Sequence, residues 1–76
     1  MLRRMGEPAE PARATYEIVV RGRLDHSLVA ALGARRFEPR EGATVLVLDV
    51  IDRAHLHGVL TQLHDNNIEV ERVNPV

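Results

Sequence analysis

The 76-residue chain has no cysteine and no tryptophan, and it has only one tyrosine and one phenylalanine. The absence of cysteine excludes disulfides and thiolate metal sites. With 45% hydrophobic residues and so few aromatics, the core must be aliphatic. The chain also lacks an apolar run near the roughly 20 residues that span a bilayer, and its N-terminus lacks the apolar region of a secretory signal. We therefore expect no membrane partner and a cytoplasmic location.

Lysine is missing as well, so all ten basic residues are arginine, and the net charge is −1. A protein with this balance has no general attraction to phosphate backbones or anionic membranes. We expect no nucleic-acid partner.

Residues 1–14 contain Gly6, Pro8, Pro11 and scattered charges without helical or strand periodicity. Such a segment cannot bury enough apolar surface to offset its ordering entropy, so we predict a disordered N-terminal tail. Residues 15–74 form the predicted single domain. A chain of this size buries only roughly 60% of its unfolded surface, which favours further burial by oligomerisation.

Four segments have the periodicity of strands. The third is apolar on both faces, which indicates a strand covered on both sides. The second is weak, and Pro39 either ends it or confines it to a sheet edge, because proline cannot donate a ladder hydrogen bond. The predicted strands are β1 (16–21), β2 (35–38), β3 (44–51) and β4 (68–73).

The first predicted helix, α1, is short. Asp25 is a suitable N-cap and Gly33 is a suitable residue after the helix, which leaves about two turns between them. The alternative is a single turn or a loop, which would leave a β-β-β-α-β domain.

The second predicted helix, α2, is capped by Asp52 and ends at the Asn66-Asn67 pair. Its apolar residues follow the i, i+3, i+4, i+7 spacing. Gly58 inside it costs about 1 kcal/mol relative to alanine. We expect that a strand or a partner approaches the helix closely at that glycine.

The order β1-α1-β2-β3-α2-β4 is the ferredoxin-like α+β pattern. It predicts a four-stranded antiparallel sheet in the order 4-1-3-2, with both helices on one face. The other face then carries an apolar strip with a charged rim, which fits a contact with another surface. We predict a homodimer through sheet faces or edge strands, although a few exposed valines on a monomer need no explanation. The predicted interface residues are Val19, Val45, Val47 and Val73.

The four histidines do not form a metal or cofactor site by sequence spacing. His57 and His64 share a helix face but lie roughly 10 Å apart along it, so one chain cannot bring both to one metal. His55 and His57 point in different directions on a helix. No known metal-binding motif is present. We expect no metal and no cofactor.

The sequence evidence for a catalytic nucleophile with a neighbouring base is similarly weak. Ser27 follows His26, and Thr61 lies one helical turn from His57, but neither has a strained elbow or a glycine-rich oxyanion loop. Asp49, the one polar residue within β3, is better explained by an ion pair with Arg21 or Arg72 than as a general base. We expect that the protein is not an enzyme.

Segments 15–22 (TYEIVVRG), 44–46 (TVL) and 54–60 (AHLHGVL) resemble a family of small uncharacterised bacterial proteins with the pattern TYEIRVRG, TVL and DQAALHGLL. The likeness covers nearly the whole folded part, with Arg53 in place of Gln and His55 in place of Ala. It implies no function and no site residues. The topology is also similar to that of ACT-type regulatory domains. That analogy implies a ligand loop between β1 and α1, at Gly22, Arg23 and Asp25.

The combined expectation is a non-enzymatic binding or regulatory module that acts as a homodimer, with ACT-like small-molecule sensing as one form. A partner could be a small molecule or a protein. The alternatives are an accessory protein that docks its apolar sheet face on a different protein, and a small enzyme with His57 or His64 at a dimer interface. The predicted ligand-binding residues are Gly22, Arg23, Asp25, His57, Thr61 and His64.

Overall fold

The element order matches the ferredoxin-like prediction. The computed structural model describes residues 14–76, with strands and helices in the order β-α-β-β-α-β. The sheet is antiparallel and has the order β2-β3-β1-β4. α1 is a true helix, so the β-β-β-α-β alternative is wrong. The elements are β1 (Ala14–Arg21), α1 (His26–Leu32), β2 (Arg36–Arg40), β3 (Ala43–Val50), α2 (Arg53–Asp65) and β4 (Val70–Pro75).

The predicted disordered tail lies outside the described residues, apart from its last residue. That residue, Ala14, begins β1 and pairs with Val50 of β3.

Both helices pack on one face of the sheet. The centre of this core consists of Ile18, Leu46 and Leu48, which are completely buried. Burying each such side chain stabilises the fold by about 1.5–3 kcal/mol. The helices contribute Val29, Leu32, Val59 and Leu63 to the same cluster.

The helix caps form as predicted. The carboxylate of Asp25 accepts a hydrogen bond from the backbone N–H of Ser27 at 3.2 Å, and Gly33 adopts a left-handed φ of 73°. Asp52 accepts from the backbone N–H of His55 at 2.8 Å. α2 ends with Asn67 in the left-handed conformation at φ 60°.

Pro39 lies inside β2, opposite Thr44 of β3. This strand is at the edge of the sheet. The edge-strand alternative is therefore confirmed, because a proline in an edge strand removes no ladder bond from the sheet interior.

A bulge in β4 changes the predicted orientation of Val73. The pairing register shifts between Val19 and Val20 of β1, so one extra residue of β4 fits between two regular pairs. Val73 pairs with Ile18 and packs against the core, as does Val70. Alternation without a bulge places Val73 on the opposite face, and that prediction was wrong.

Gly58 does not lie against a strand of the described chain. A Cβ atom added there meets nothing within 4 Å, and the residue is exposed. The expected close approach by a strand was therefore wrong, and approach by a partner stays a prediction.

Candidate functional site

The sheet face opposite the helices, here called the open face, is the candidate interaction surface. Val19 and Val45 pair at its centre and expose only 8% and 7% of their surface. Val47 is half-buried beside them, paired with Glu17. Three of the four predicted interface residues thus share this face, and Val73 is the exception.

Charged side chains border these valines on the outer strands. Glu38 pairs with Val45 on one side, and Arg72 pairs with Val19 on the other. Arg36 and Arg40 alternate with Glu38 along β2. Carboxylates and guanidinium groups therefore stand on both edges of an apolar centre.

The bulge brings Glu71 to the same side as Arg72. Arg21 alternates with Val19 and so lies on the open face, and its Nε is 3.6 Å from a carboxylate oxygen of Glu71. A bulge of this kind places two residues opposite one on the neighbouring strand, so two consecutive residues share a face.

Asp49 forms the ion pair that its sequence position suggests, but with a different partner. Its Oδ1 is 3.1 Å from Nη1 of Arg35 and accepts a hydrogen bond from the hydroxyl of Thr15 at 2.8 Å. Neither Arg21 nor Arg72 is the partner. Exposed ion pairs of this kind contribute about 0–1 kcal/mol to the free energy of unfolding. The stability gained from this pair therefore does not by itself account for an aspartate at position 49 of a largely apolar strand.

Two of the three residues in the predicted ligand loop, Gly22 and Asp25, have structural roles. Gly22 has a left-handed φ of 81°, and its carbonyl accepts a hydrogen bond from the hydroxyl of buried Thr44 at 2.7 Å. Asp25 caps α1. Of the three residues predicted in the loop, Arg23 lines the concavity described next, and Gly22 and Asp25 do not.

That concavity has a volume of about 320 Å³. The rings of His26 and Phe37 meet edge to face, with centroids 5.4 Å apart. Nothing in the sequence indicates that Phe37 meets His26. The lining residues are Arg23, Leu24, His26, Phe37, Pro39 and Thr44.

The residues predicted on α2 lie elsewhere. His57, Thr61 and His64 are all exposed, and none of them lines the concavity. The six predicted ligand residues therefore form two separate groups. Sequence reasoning missed the role of His55, whose Nδ1 accepts a hydrogen bond from the backbone N–H of Ile51 at 3.1 Å and so supports the start of α2.

The described residues show no arrangement for metal binding or nucleophile activation. Within residues 14–76, no group of three or more His, Asp or Glu residues is placed to hold a metal ion. In the same range, the side chain of Ser27 bonds to Asp25, and no hydrogen bond joins a histidine to Ser27 or Thr61. Neither described helix has the length and apolar character needed to cross a membrane.

Comparison with known proteins gives one match. No curated protein and no solved structure matches the chain significantly. A family described as a domain of unknown function, DUF8691, matches residues 15–74. The match spans the sheet, both helices and the open face, so the chain belongs to the DUF8691 family.

Proposed function

We propose that this domain is a non-enzymatic binding module that acts as a homodimer, with the open face as the contact between the copies. The observation that supports this most is the apolar centre of Val19, Val45 and Val47 on a face that no helix of the described chain covers. An apolar centre with a polar rim is the usual anatomy of a protein interface.

The concavity beside the β1–α1 loop supports a small-molecule role for the same module. Its volume of about 320 Å³ is at the low end of ligand pockets, which span roughly 300–1,000 Å³. Arg23 supplies a cation, and Phe37 supplies an apolar wall. These groups suit a small anion with an apolar part, such as an aromatic or aliphatic carboxylate.

Sedimentation equilibrium over a wide concentration range tests the homodimer. At low salt we expect the wild-type mass to rise toward twice the monomer mass. The Val47→Glu variant, in which a carboxylate enters the half-buried edge of the apolar centre, should stay closer to the monomer mass. Thr61→Glu on the exposed side of α2 is the matched control and should behave as wild type. A constant monomer mass for the wild type contradicts the proposal and favours docking on a different protein.

The ligand role has a separate test. Benzoate carries a carboxylate on a small apolar ring, and benzyl alcohol is its uncharged analogue. In amide-detected NMR titrations, benzoate should shift the signals of Arg23, His26 and Phe37, while benzyl alcohol and the Arg23→Gln variant should give smaller shifts. Shifts confined to α2, or no shifts with benzoate, would contradict this site for carboxylates.

A further inference from the structure

We infer that a second copy of this chain covers the open face about a two-fold axis parallel to the strands, midway between β1 and β3. This inference rests on the proposed homodimer and specifies how its two copies meet. It identifies the ion pairs that select this arrangement.

One row of side chains carries the argument. The strand pairing aligns Glu38, Val45, Val19 and Arg72 across the four strands, in that order. A two-fold axis between β1 and β3 places this row over the same row of the second copy, with the order of its four residues reversed. Val45 then lies over Val19 of the second copy, and Glu38 lies over Arg72 of the second copy. Both apolar residues meet apolar residues, and both charges meet opposite charges.

The row that contains Arg40 also brings opposite charges together. Arg40 pairs with Ala43, which pairs with Arg21, and carboxylate oxygens of Glu69 and Glu71 lie 3.5 Å and 3.6 Å from Arg21. Under the same axis, Arg40 approaches these two carboxylates of the second copy. The bulge in β4 adds Glu71 to the open face beside Glu69.

Axes perpendicular to the strands fit less well. An axis through the first row would place Glu38 over Glu38 and Arg72 over Arg72, which is repulsive. An axis between this row and the row of Val47 and Glu17 would place Arg72 over Asn74, which carries no charge. Both this axis and the axis along the strands leave Glu17 over a valine, but only the axis along the strands pairs Arg72 with Glu38. Because like charges in contact and unpaired charges disfavour association, the axis along the strands is preferred.

The charged groups of Arg72 and Glu38 can reach a second copy without breaking a buried ion pair. Within residues 14–76, Arg72 makes no ion pair, and the pair between Glu38 and Arg40, 3.0 Å apart, is exposed. Glu38 can therefore bridge Arg40 of its own chain and Arg72 of the second copy. Networks of several charges contribute more than isolated exposed pairs.

The size of the face predicts a weak dimer. The two central strands have eight residues each and the outer strands have five and six. At roughly 3.3 Å per residue and roughly 4.8 Å between strands, the face covers on the order of 400 Å² per copy. The total of roughly 800 Å² is below the roughly 1,200–2,000 Å² of stable specific interfaces and is typical of weak associations. The charge pattern therefore decides whether and how the copies meet.

Charge reversal in two variants tests this inference. Glu38→Arg places an arginine over Arg72 of the second copy, and Arg72→Glu places a glutamate over Glu38 of the second copy. Because each symmetric dimer contains the altered pair twice, each variant alone should weaken dimerisation roughly tenfold or more. An equimolar mixture of the two variants should recover heterodimers of near wild-type affinity, since both pairs are then attractive. Dissociation constants come from sedimentation equilibrium at low salt, with circular dichroism to verify folding.

Two controls match the changes in charge. Glu41→Arg lies in the turn before β3, and Arg53→Glu lies at the exposed start of α2; both should leave the dissociation constant unchanged. A wild-type dimer that is insensitive to both interface variants, or a mixture that does not recover, overturns the inferred axis while the proposed homodimer stands. A wild-type protein that is monomeric at every concentration overturns both.

Discussion

Val19 and Val45 are direct partners across the two central strands, on the side of the sheet opposite the helices. They expose only 8% and 7% of their surface although no helix of the described chain packs on them. The inferred two-fold axis passes between these two residues, so each would contact the other in the second copy. Their small exposed area means that association depends strongly on the charges around them.

Salt should weaken the dimer. The Debye length falls from about 30 Å at 0.01 M to about 3 Å at 1 M ionic strength, which screens exposed ion pairs. We expect the dissociation constant to rise roughly tenfold between about 0.02 M and 0.5 M sodium chloride. Sedimentation equilibrium at several salt concentrations measures this. An association that strengthens with salt would indicate an apolar contact without the proposed pairs.

Gly58→Ala should stabilise the fold. The residue is helical and has open space where a Cβ would lie, so alanine adds helix propensity of about 0.8–1 kcal/mol without a clash. Urea denaturation at high salt, where the monomer dominates, measures the change. Gly33→Ala is the contrasting variant, because its φ of 73° is unfavourable for alanine and stability should fall by about 1 kcal/mol. Loss of stability in Gly58→Ala would show that another segment packs against α2 there.

Asp52→Ala should destabilise the fold by about 1 kcal/mol, because the backbone N–H of His55 loses its acceptor at the start of α2. Asp52→Asn retains an acceptor oxygen and should keep most of the stability. The same urea experiment distinguishes them. Equal losses in both variants would show that the charge of Asp52, and not its cap, matters.

Val73→Ala should cost on the order of 1–2 kcal/mol, because Val73 packs against the core beside Ile18. Arg72→Ala, one residue earlier on the open face, should change the stability of the monomer by less than about 0.5 kcal/mol. The reverse order of the two effects would mean that β4 pairs without its bulge.

The fold was predictable because its signals are local. Asp25, Gly33 and Asp52 mark helix ends by their own backbone and side-chain chemistry. The doubly apolar β3 indicates a central strand, and Pro39 indicates an edge strand. The DUF8691 family is described as a domain of unknown function and adds no function to these signals.

The errors arise where distant segments meet. No residue type in β4 signals its bulge, so alternation put Val73 on the wrong face. Asp49 pairs with Arg35 and not with Arg21 or Arg72, because the sheet register decides which arginine it meets, and the sequence does not specify that register. The contact of His26 with Phe37 likewise depends on how α1 lies against β2. The six predicted ligand residues lie in two separate groups, one in the β1–α1 loop and one on α2. The sequence does not give the distance between that loop and that helix face.

The most direct test of the central claim is an isotope-filtered NOE experiment on an equimolar mixture of ¹³C-labelled and unlabelled protein at low salt. It detects contacts between copies alone. The account predicts intermolecular NOEs between the methyl groups of Val19 and Val45. Intermolecular NOEs from the methyl groups of α2 residues, with none from Val19 or Val45 in a sample that is dimeric by mass, would contradict it.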